Sequence, residues 1–334
     1  MSSVLAPTAS QPSLAQRLLA APNRYIKPKL GILFGLFLMC AALSYLSPAF
    51  LTTSNLINVL RQVSTNANLA FGMTLAILIG GIDLSVGPVL AISGTLTAGL
   101  IAMSGLPVWL AVLIGLSCGT GIGLFNGFVI ARTGIAPFIV TLATMQIARG
   151  MAYVYTGGNP VSCYVDSFNH IGGGRLGFVP LPVLYTAVAF LAMCFLLYRT
   201  RFGRYVYALG GNRNAAVYSG ININRVQILV YGLIGFLAAA SGVVLCARMY
   251  SGQPTIGNGF ELDAIAAVVL GGTSFSGGSG TLGGTLLGVF VIGILNNGLN
   301  LLNINSFWQL VIKGVVILLA VYVDILKKRG RSAS

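Results

Sequence analysis

Read as a pattern of apolar and polar positions, the chain is a series of long oily runs broken by short polar segments. Residues 30–46, 108–130, 181–198 and 228–247 are runs dominated by apolar side chains and glycine. Each reaches the roughly 17 to 25 residues that a helix needs to cross the hydrocarbon core of a bilayer. A further run, 310–323, is shorter and carries Lys313. The period-two alternation of a membrane β-barrel is absent, so the predicted fold class is an all-α integral membrane protein. Runs and breakers together place spans near 30–47, 65–80, 86–103, 107–131, 136–155, 179–198, 227–247, 262–277, 282–302 and 308–326, about ten in all. The segments flanking Asp83 and Gly278 are the least regular of these.

Composition agrees. Of 334 residues, 56% are hydrophobic and only 7% charged, against about a quarter charged in soluble domains. A net charge of +14 would suggest a nucleic-acid partner in a soluble chain. Here most basic residues sit between the apolar runs, so they report topology and no nucleic acid is expected. Arg17, Arg24, Lys27 and Lys29 precede the first span; Arg199, Arg201, Arg204, Arg213 and Arg225 share one central gap; Lys327, Lys328, Arg329 and Arg331 close the chain. Threading ten spans from a cytoplasmic start puts all three clusters inside. The expected organisation is a cytoplasmic tail at 1–29, a membrane domain at 30–326 with a cytoplasmic segment at 199–226, and a cytoplasmic tail at 327–334. The first thirty residues lack a small-residue cleavage site and read as an uncleaved, mobile tail and anchor. Four of the five cysteines lie in or beside apolar runs and Cys163 lies in a polar loop, with neither a disulfide framework nor metal spacing. His170, in the loop predicted to lie outside, reads as a solvated residue.

Comparing the halves gives two internal matches. "AILIGGIDLSVG" at 76–87 aligns without gaps to "AVVLGGTSFSGG" at 267–278, and "GLFNG" at 123 is a looser match to "GILNNG" at 293. Repeats of this kind occur in transporters, and glycine-broken helices at corresponding places in two halves mark a transport path, since irregular backbone at membrane depth must be buried in protein or line a wet cavity. The alternative for the glycines is close helix packing. The candidate path or gate residues are Gly80, Gly81, Asp83, Ser85, Gly271, Gly272 and Ser276. Asp83 also fits a helix cap, because Asp two residues before Ser is good N-terminal chemistry.

Apart from Asp324 in the basic C-terminal end, the remaining acids near the spans are Glu261 and Asp263, which are expected to open a span on the outer side, where the helix dipole favours them as caps or docking residues. No ionisable chain for proton coupling crosses the membrane: Lys313 shows no evident acid partner, and the spans before residue 198 offer only Asp83 and Arg149. No G-x-x-x-x-G-K-[ST] occurs, so the chain is not expected to hydrolyse ATP itself, and no catalytic or metal constellation stands out.

The central gap holds "TRFGRYVYALGGNRNAAVYSGININRVQ" at 200–227. A short helix there with a glycine stop can dock a soluble partner, or serve as a basic anchor at the lipid surface. "NAAVYSG" at 214–220 resembles the E-A-A-x-x-x-G coupling motif of ABC importer membrane subunits. "TRFGRYVYALGGN", "GGIDLSVG", "FELDAIAAVVLGGTSFSGG" and "LNNGLNLLNINSFWQLVIKGVVILLAV" resemble the monosaccharide permeases of the ribose, arabinose, galactose and xylose group, ribose permeases above all, over roughly residues 40–328. The resemblance implies a type II importer-like subunit of about ten helices that pairs with a second permease copy. It also implies a cytoplasmic ATP-binding subunit with two nucleotide domains, which holds ATP and Mg, and a periplasmic sugar-binding protein. The chain itself would bind no cofactor and would sit in the bacterial inner membrane. By the same resemblance, coupling falls to Asn214, Ala215, Ala216 and Gly220, flanked by Arg201 and Arg204, with Asn214 replacing the motif's Glu. Two other readings stay open: a stand-alone facilitator for small neutral solutes, and a related ABC permease for a branched-chain amino acid or a furanosyl signalling molecule.

Overall fold

The computed structural model describes residues 14–332, so residues 1–13 and 333–334 of the expected tails lie outside the described residues. The long helices are α1 (Leu14–Leu46), α2 (Thr53–Leu78), α3 (Val86–Ala102), α4 (Val108–Thr133), α5 (Pro137–Thr156), α7 (Leu181–Arg199), α10 (Ile223–Met249), α12 (Leu282–Leu301) and α13 (Ser306–Ser332). Shorter ones are α6 (Asp166–Gly173), α8 (Arg201–Gly211), α9 (Arg213–Tyr218) and α11 (Phe260–Leu270). Every predicted span has a helix in its place. Among the described residues α4, α7, α10 and α12 are long and apolar enough to cross a membrane, while the apolar parts of α1, α3 and α13 are shorter.

Four boundaries differ from expectation, that of α13 by running on to Ser332, into the segment assigned to the C-terminal tail. Helix α1 runs back to Leu14, into the segment assigned to the tail. Helix α2 begins at Thr53, twelve residues before the predicted span, with the Thr52 hydroxyl accepting from the Asn55 amide. Its polar stretch Ser64, Thr65, Asn66 and Asn68 is buried in protein and never meets lipid, which is why it persists as helix. There the Ser64 carbonyl accepts from Thr186 Oγ1 at 3.0 Å and the Thr65 carbonyl from Ser241 Oγ at 3.2 Å. This longer α2 also contains Arg61, an ionisable residue the predicted spans left out. Helix α11 stops at Leu270, short of the predicted 277, and its 11 residues rise only about 16 Å.

Helices α2, α3 and α10 form the centre. Helices α3 and α4 lean on α10 as α11 and α12 lean on α2, and α5 and α13 close on α3 and α11 respectively. This exchange of packing partners pairs α2–α5 with α10–α13. Gly115, Gly119, Gly123 and Gly127 form a one-sided stripe on α4, the small-residue spacing that lets membrane helices approach backbone to backbone. A Cβ on Gly123 would strike the Tyr231 carbonyl and lie 3.0 Å from the Gly235 Cα.

Between α5 and α7, β2 (Arg175–Leu176) pairs antiparallel with β3 (Val179–Pro180), and β1 (Val161–Ser162) pairs antiparallel with β4 (Ser251–Gly252), which follows α10. Cys163 donates its amide to the Tyr250 carbonyl at 2.9 Å and is buried, which raises its thiol pKa.

Candidate functional site

The two Gly-Gly blocks end α2 and α11 with the same turn. Gly80 N–H donates to the Ile77 carbonyl and Gly81 N–H to that of Ala76; Gly272 N–H donates to Val269 and Thr273 N–H to Val268. This is the Schellman pattern, which needs a left-handed residue at its corner. That corner is Gly80 (φ 78°) in one block and Gly272 (φ 86°) in the other. The ungapped match is therefore one residue out of register: Gly81 corresponds in the turn to Thr273. It also joins the α2–α3 turn to the α11–α12 turn, which the packing does not pair. The looser match does better, because "GLFNG" lies on α4 and "GILNNG" on α12, helices that do correspond.

The blocks nonetheless meet. Gly278 N–H donates to the Leu78 carbonyl at 2.9 Å, and Gly277 and Gly278 press on Gly210 and Gly211 of α8. Tyr207 donates to the Gly280 carbonyl at 2.8 Å and Leu282 N–H to Tyr198 Oη at 2.9 Å. Gly271 packs on Gly284, Gly81 lies against the Tyr231 hydroxyl, and Ser276 is exposed. These candidates thus form a tight joint between the two halves and α8.

Asp83 and Ser85 follow closely on Gly81, in a polar cluster before α3. Asp83, 1% exposed, accepts from the Ser85 amide at 2.8 Å and from Ser85 Oγ at 2.6 Å, both at Oδ1. Ser85 Oγ accepts from Asn126 Nδ2 at 3.1 Å, and Asn126 Oδ1 from Thr144 Oγ1 at 2.6 Å. A cluster at the corresponding place joins α11, α12 and α13: Asn296 Nδ2 donates to Asp263 Oδ2 at 3.1 Å and Lys313 Nζ pairs with the same oxygen at 3.0 Å. Lys313 therefore has the acid partner the sequence did not reveal. In each half an asparagine from the third helix and a polar residue from the fourth hold the start of the second. Glu261 and Asp263 do occupy the first turn of α11, but that turn lies inside the bundle, with Glu261 against Gly87 of α3.

The Asp83 geometry yields a prediction. Asp83→Asn keeps the Oδ1 acceptor and should leave stability near that of the parent, whereas Asp83→Ala strands two donors at about 1–3 kcal/mol for an unsatisfied buried group. Thermal unfolding of the detergent-purified chain measures both. Equal losses in the two variants would mean that the carboxylate charge, not the acceptor, holds the turn.

Helices α8 and α9 form a surface at the end of the bundle where the Gly-Gly joint lies. Helix α8 buries Gly203, Val206 and Leu209 and exposes Arg201 and Arg204. Asn212 caps α9 by accepting from the Ala215 amide at 3.0 Å. Ala216 is buried, Asn214, Ala215 and Gly220 are exposed, and Tyr218 is 91% exposed. Gly220 (φ 75°) ends α9 with the same Schellman turn.

The family described as "Branched-chain amino acid transport system / permease component" matches residues 55–321. The chain belongs to this permease family. The ribose import permease protein RbsC of Bacillus subtilis (strain 168) is 50% identical over 301 residues, covering 90% of this chain and 93% of that protein. RbsC of Escherichia coli (strain K12) is 49% identical over 296 residues, covering 87% and 92%. The D-allose transport system permease protein AlsC of the same strain is 41% identical over 299 residues, covering 89% and 91%. No solved structure matches the chain.

As a permease of this family the chain is a multi-pass membrane protein, and the match includes both polar clusters and the α8–α9 surface. Sequence reasoning missed Arg61, the Asn126–Thr144 link and the Asp263–Lys313 pair. The asparagines inside otherwise apolar α4 and α12 were the available signal, since an amide at membrane depth requires a partner.

Proposed function

We propose that the chain is the membrane-spanning subunit of an ATP-driven monosaccharide importer of the ribose type. The observation that supports this reading most is the 50% identity to a ribose import permease over 90% of the chain. In this reading ten helices cross the bacterial inner membrane as two four-helix repeats, α2–α5 and α10–α13, with α1 and α7 outside the repeats. Both termini and the α8–α9 surface are cytoplasmic. A second copy completes the path, a periplasmic binding protein delivers the sugar, and ATP and Mg are held on a cytoplasmic ATPase chain with two nucleotide domains. The permease contributes no catalytic group and no cofactor. ATP-driven closure of the partner pushes on α8 and α9, and α8 transmits the movement directly to the Gly-Gly joint on which both halves turn. Nucleotide can bias that equilibrium only by its differential affinity for the two states.

Reconstitution in liposomes with the ATPase and binding protein should give ribose accumulation that depends on ATP. Equilibration of ribose by the chain alone, without ATP, would instead make it a facilitator. Within the assembly, Gly220→Pro should abolish sugar-stimulated ATP hydrolysis: proline cannot adopt a φ of 75°, and it removes the amide that closes α9. Asn214 carries no charge, so docking rests on the exposed Ala215, the turn at Gly220 and the flanking Arg201 and Arg204. Stimulated hydrolysis at the parental rate in Gly220→Pro would remove α9 from the coupling role.

A further inference from the structure

A cavity of about 180 Å³ opens where α3, α5, α11 and the 250–259 segment meet, lined by Pro88, Met145, Gln146, Arg149, Tyr153, Asn258 and Glu261, together with Thr255. That is well above the roughly 10–15 Å³ that admits one water. Gln146 and Arg149 sit near the middle of α5, while Pro88 and Glu261 lie in the first turns of α3 and α11. Helices α3 and α11 thus bring their N-termini together inside the bundle, half-way along α5.

The polar groups here are held but not used up. Arg149 Nη1 donates to the Pro254 and Ile256 carbonyls, which fixes the guanidinium against the 250–259 segment. Glu261 is 9% exposed. Its Oε1 accepts from the Gly259 amide at 3.2 Å, but its Oε2 is buried with no hydrogen-bond partner. Oε2 is packed against Gly87 of α3, so Glu261 lends the cavity wall its charge while the hydrogen-bonding reach falls to Gln146, Asn258 and Arg149. Gln146 and Asn258 are exposed and offer both donors and acceptors, and the exposed Tyr153 offers an aromatic ring.

We infer that this cavity is a binding site for a neutral polyhydroxylated ring, a single monosaccharide, held within the membrane by Arg149, Gln146 and Asn258. The class follows from the lining. Arg149 and Glu261 offset each other's charge, so neither an anion nor a cation is favoured. Pro88 and Met145 are the only aliphatic lining residues, too few to hold a branched aliphatic side chain. Hydroxyls that both donate and accept match amides and a guanidinium set around one space. The inference rests on the sugar-permease reading for its place in transport, though not for its chemistry.

Two measurements test it. First, thermal unfolding of the purified full-length chain is recorded with D-ribose, D-xylose or L-leucine. The pentoses should raise the melting temperature, and Gln146→Ala and Asn258→Ala, both at exposed positions, should remove the rise. Val154→Ala, which is 85% exposed on the same helix and outside the cavity lining, should keep it. Second, uptake of labelled D-ribose is followed in cells whose other pentose importers are deleted. Loss of one hydrogen bond should lower uptake by Gln146→Ala or Asn258→Ala about tenfold at subsaturating sugar and equal membrane abundance. A melting shift with L-leucine in place of pentose overturns the polyol class. No pentose shift, or one retained in both variants, overturns the site. Wild-type uptake with unaffected variants also sinks the site while sparing the permease reading. A pentose shift lost in the variants without any wild-type uptake supports the site and sinks that reading instead.

Discussion

Gly123→Leu should eliminate folded permease from the membrane, while Gly121→Leu, two residues along the same helix, should leave its abundance unchanged. Both positions lie in the apolar run of α4, and both substitutions add the same side chain. They differ in what the added carbons meet. At Gly121 an added Cβ meets nothing within 4 Å. At Gly123 it meets the Tyr231 carbonyl and the Gly235 backbone, and Gly235 in turn closes on Gly119 and Gly123. Those obstacles are main-chain atoms of a packed helix, so no side-chain rotation relieves them. Overpacking a well-filled site costs about 1–3 kcal/mol when neighbours can shift, and here the shift required is separation of α4 from α10. That contact is the more consequential because helix association in a bilayer rests on close packing more than on hydrophobic burial. Fluorescence-detected size-exclusion profiles of tagged variants measure the outcome. A monodisperse Gly123→Leu peak of parental height would show that α4 and α10 need not touch.

That stripe was legible: glycine at every fourth position of 115–127 is printed in the sequence, yet hydropathy registers only an oily run. Helix positions were readable for the same reason, since apolar length is set by bilayer thickness. What hydropathy conceals is a polar helix buried by its neighbours. The predicted span starts only at residue 65 and leaves Arg61 to Ser64 outside as too polar for lipid, but α2 runs through them and touches α7 and α10 instead. The Gly-Gly blocks illustrate the converse. Their similarity is real at the level of the turn, since both end a helix with a left-handed corner, but a Schellman turn is local chemistry and carries no information about which helices correspond. Correspondence emerged from which helices pack together, with the looser match of α4 to α12 agreeing, and it moved weight from the conspicuous glycines to two asparagines. The coupling segment was legible as a short helix with a glycine stop, because its cap and its left-handed end are both written in residue types.

The pair most hidden from the sequence carries the other large effect. Asp263 and Lys313 are fifty residues apart on α11 and α13, and nothing in either helix announces the partner. Asp263 is 3% exposed, and its Oδ2 is shared by Lys313 Nζ at 3.0 Å and Asn296 Nδ2 at 3.1 Å. Lys313 is 24% exposed, so Lys313→Met should destabilise the chain by less than the about 3–5 kcal/mol that breaking a fully buried pair costs, chiefly by leaving the buried Asp263 without its cation. Asp263→Asn should do comparable harm by stranding the ammonium. Removing both charges leaves a neutral amide beside Asn296, and the double variant Asp263→Asn/Lys313→Met should recover most of the loss. Thermal unfolding of the four proteins in detergent closes the cycle, and its coupling energy isolates the pair from the rest of α13. Additive losses would mean that the two residues act separately. Recovery would identify the pair as the clasp that holds α13 to the half-length α11, the task that Asn126 and Thr144 perform without charge at the start of α3.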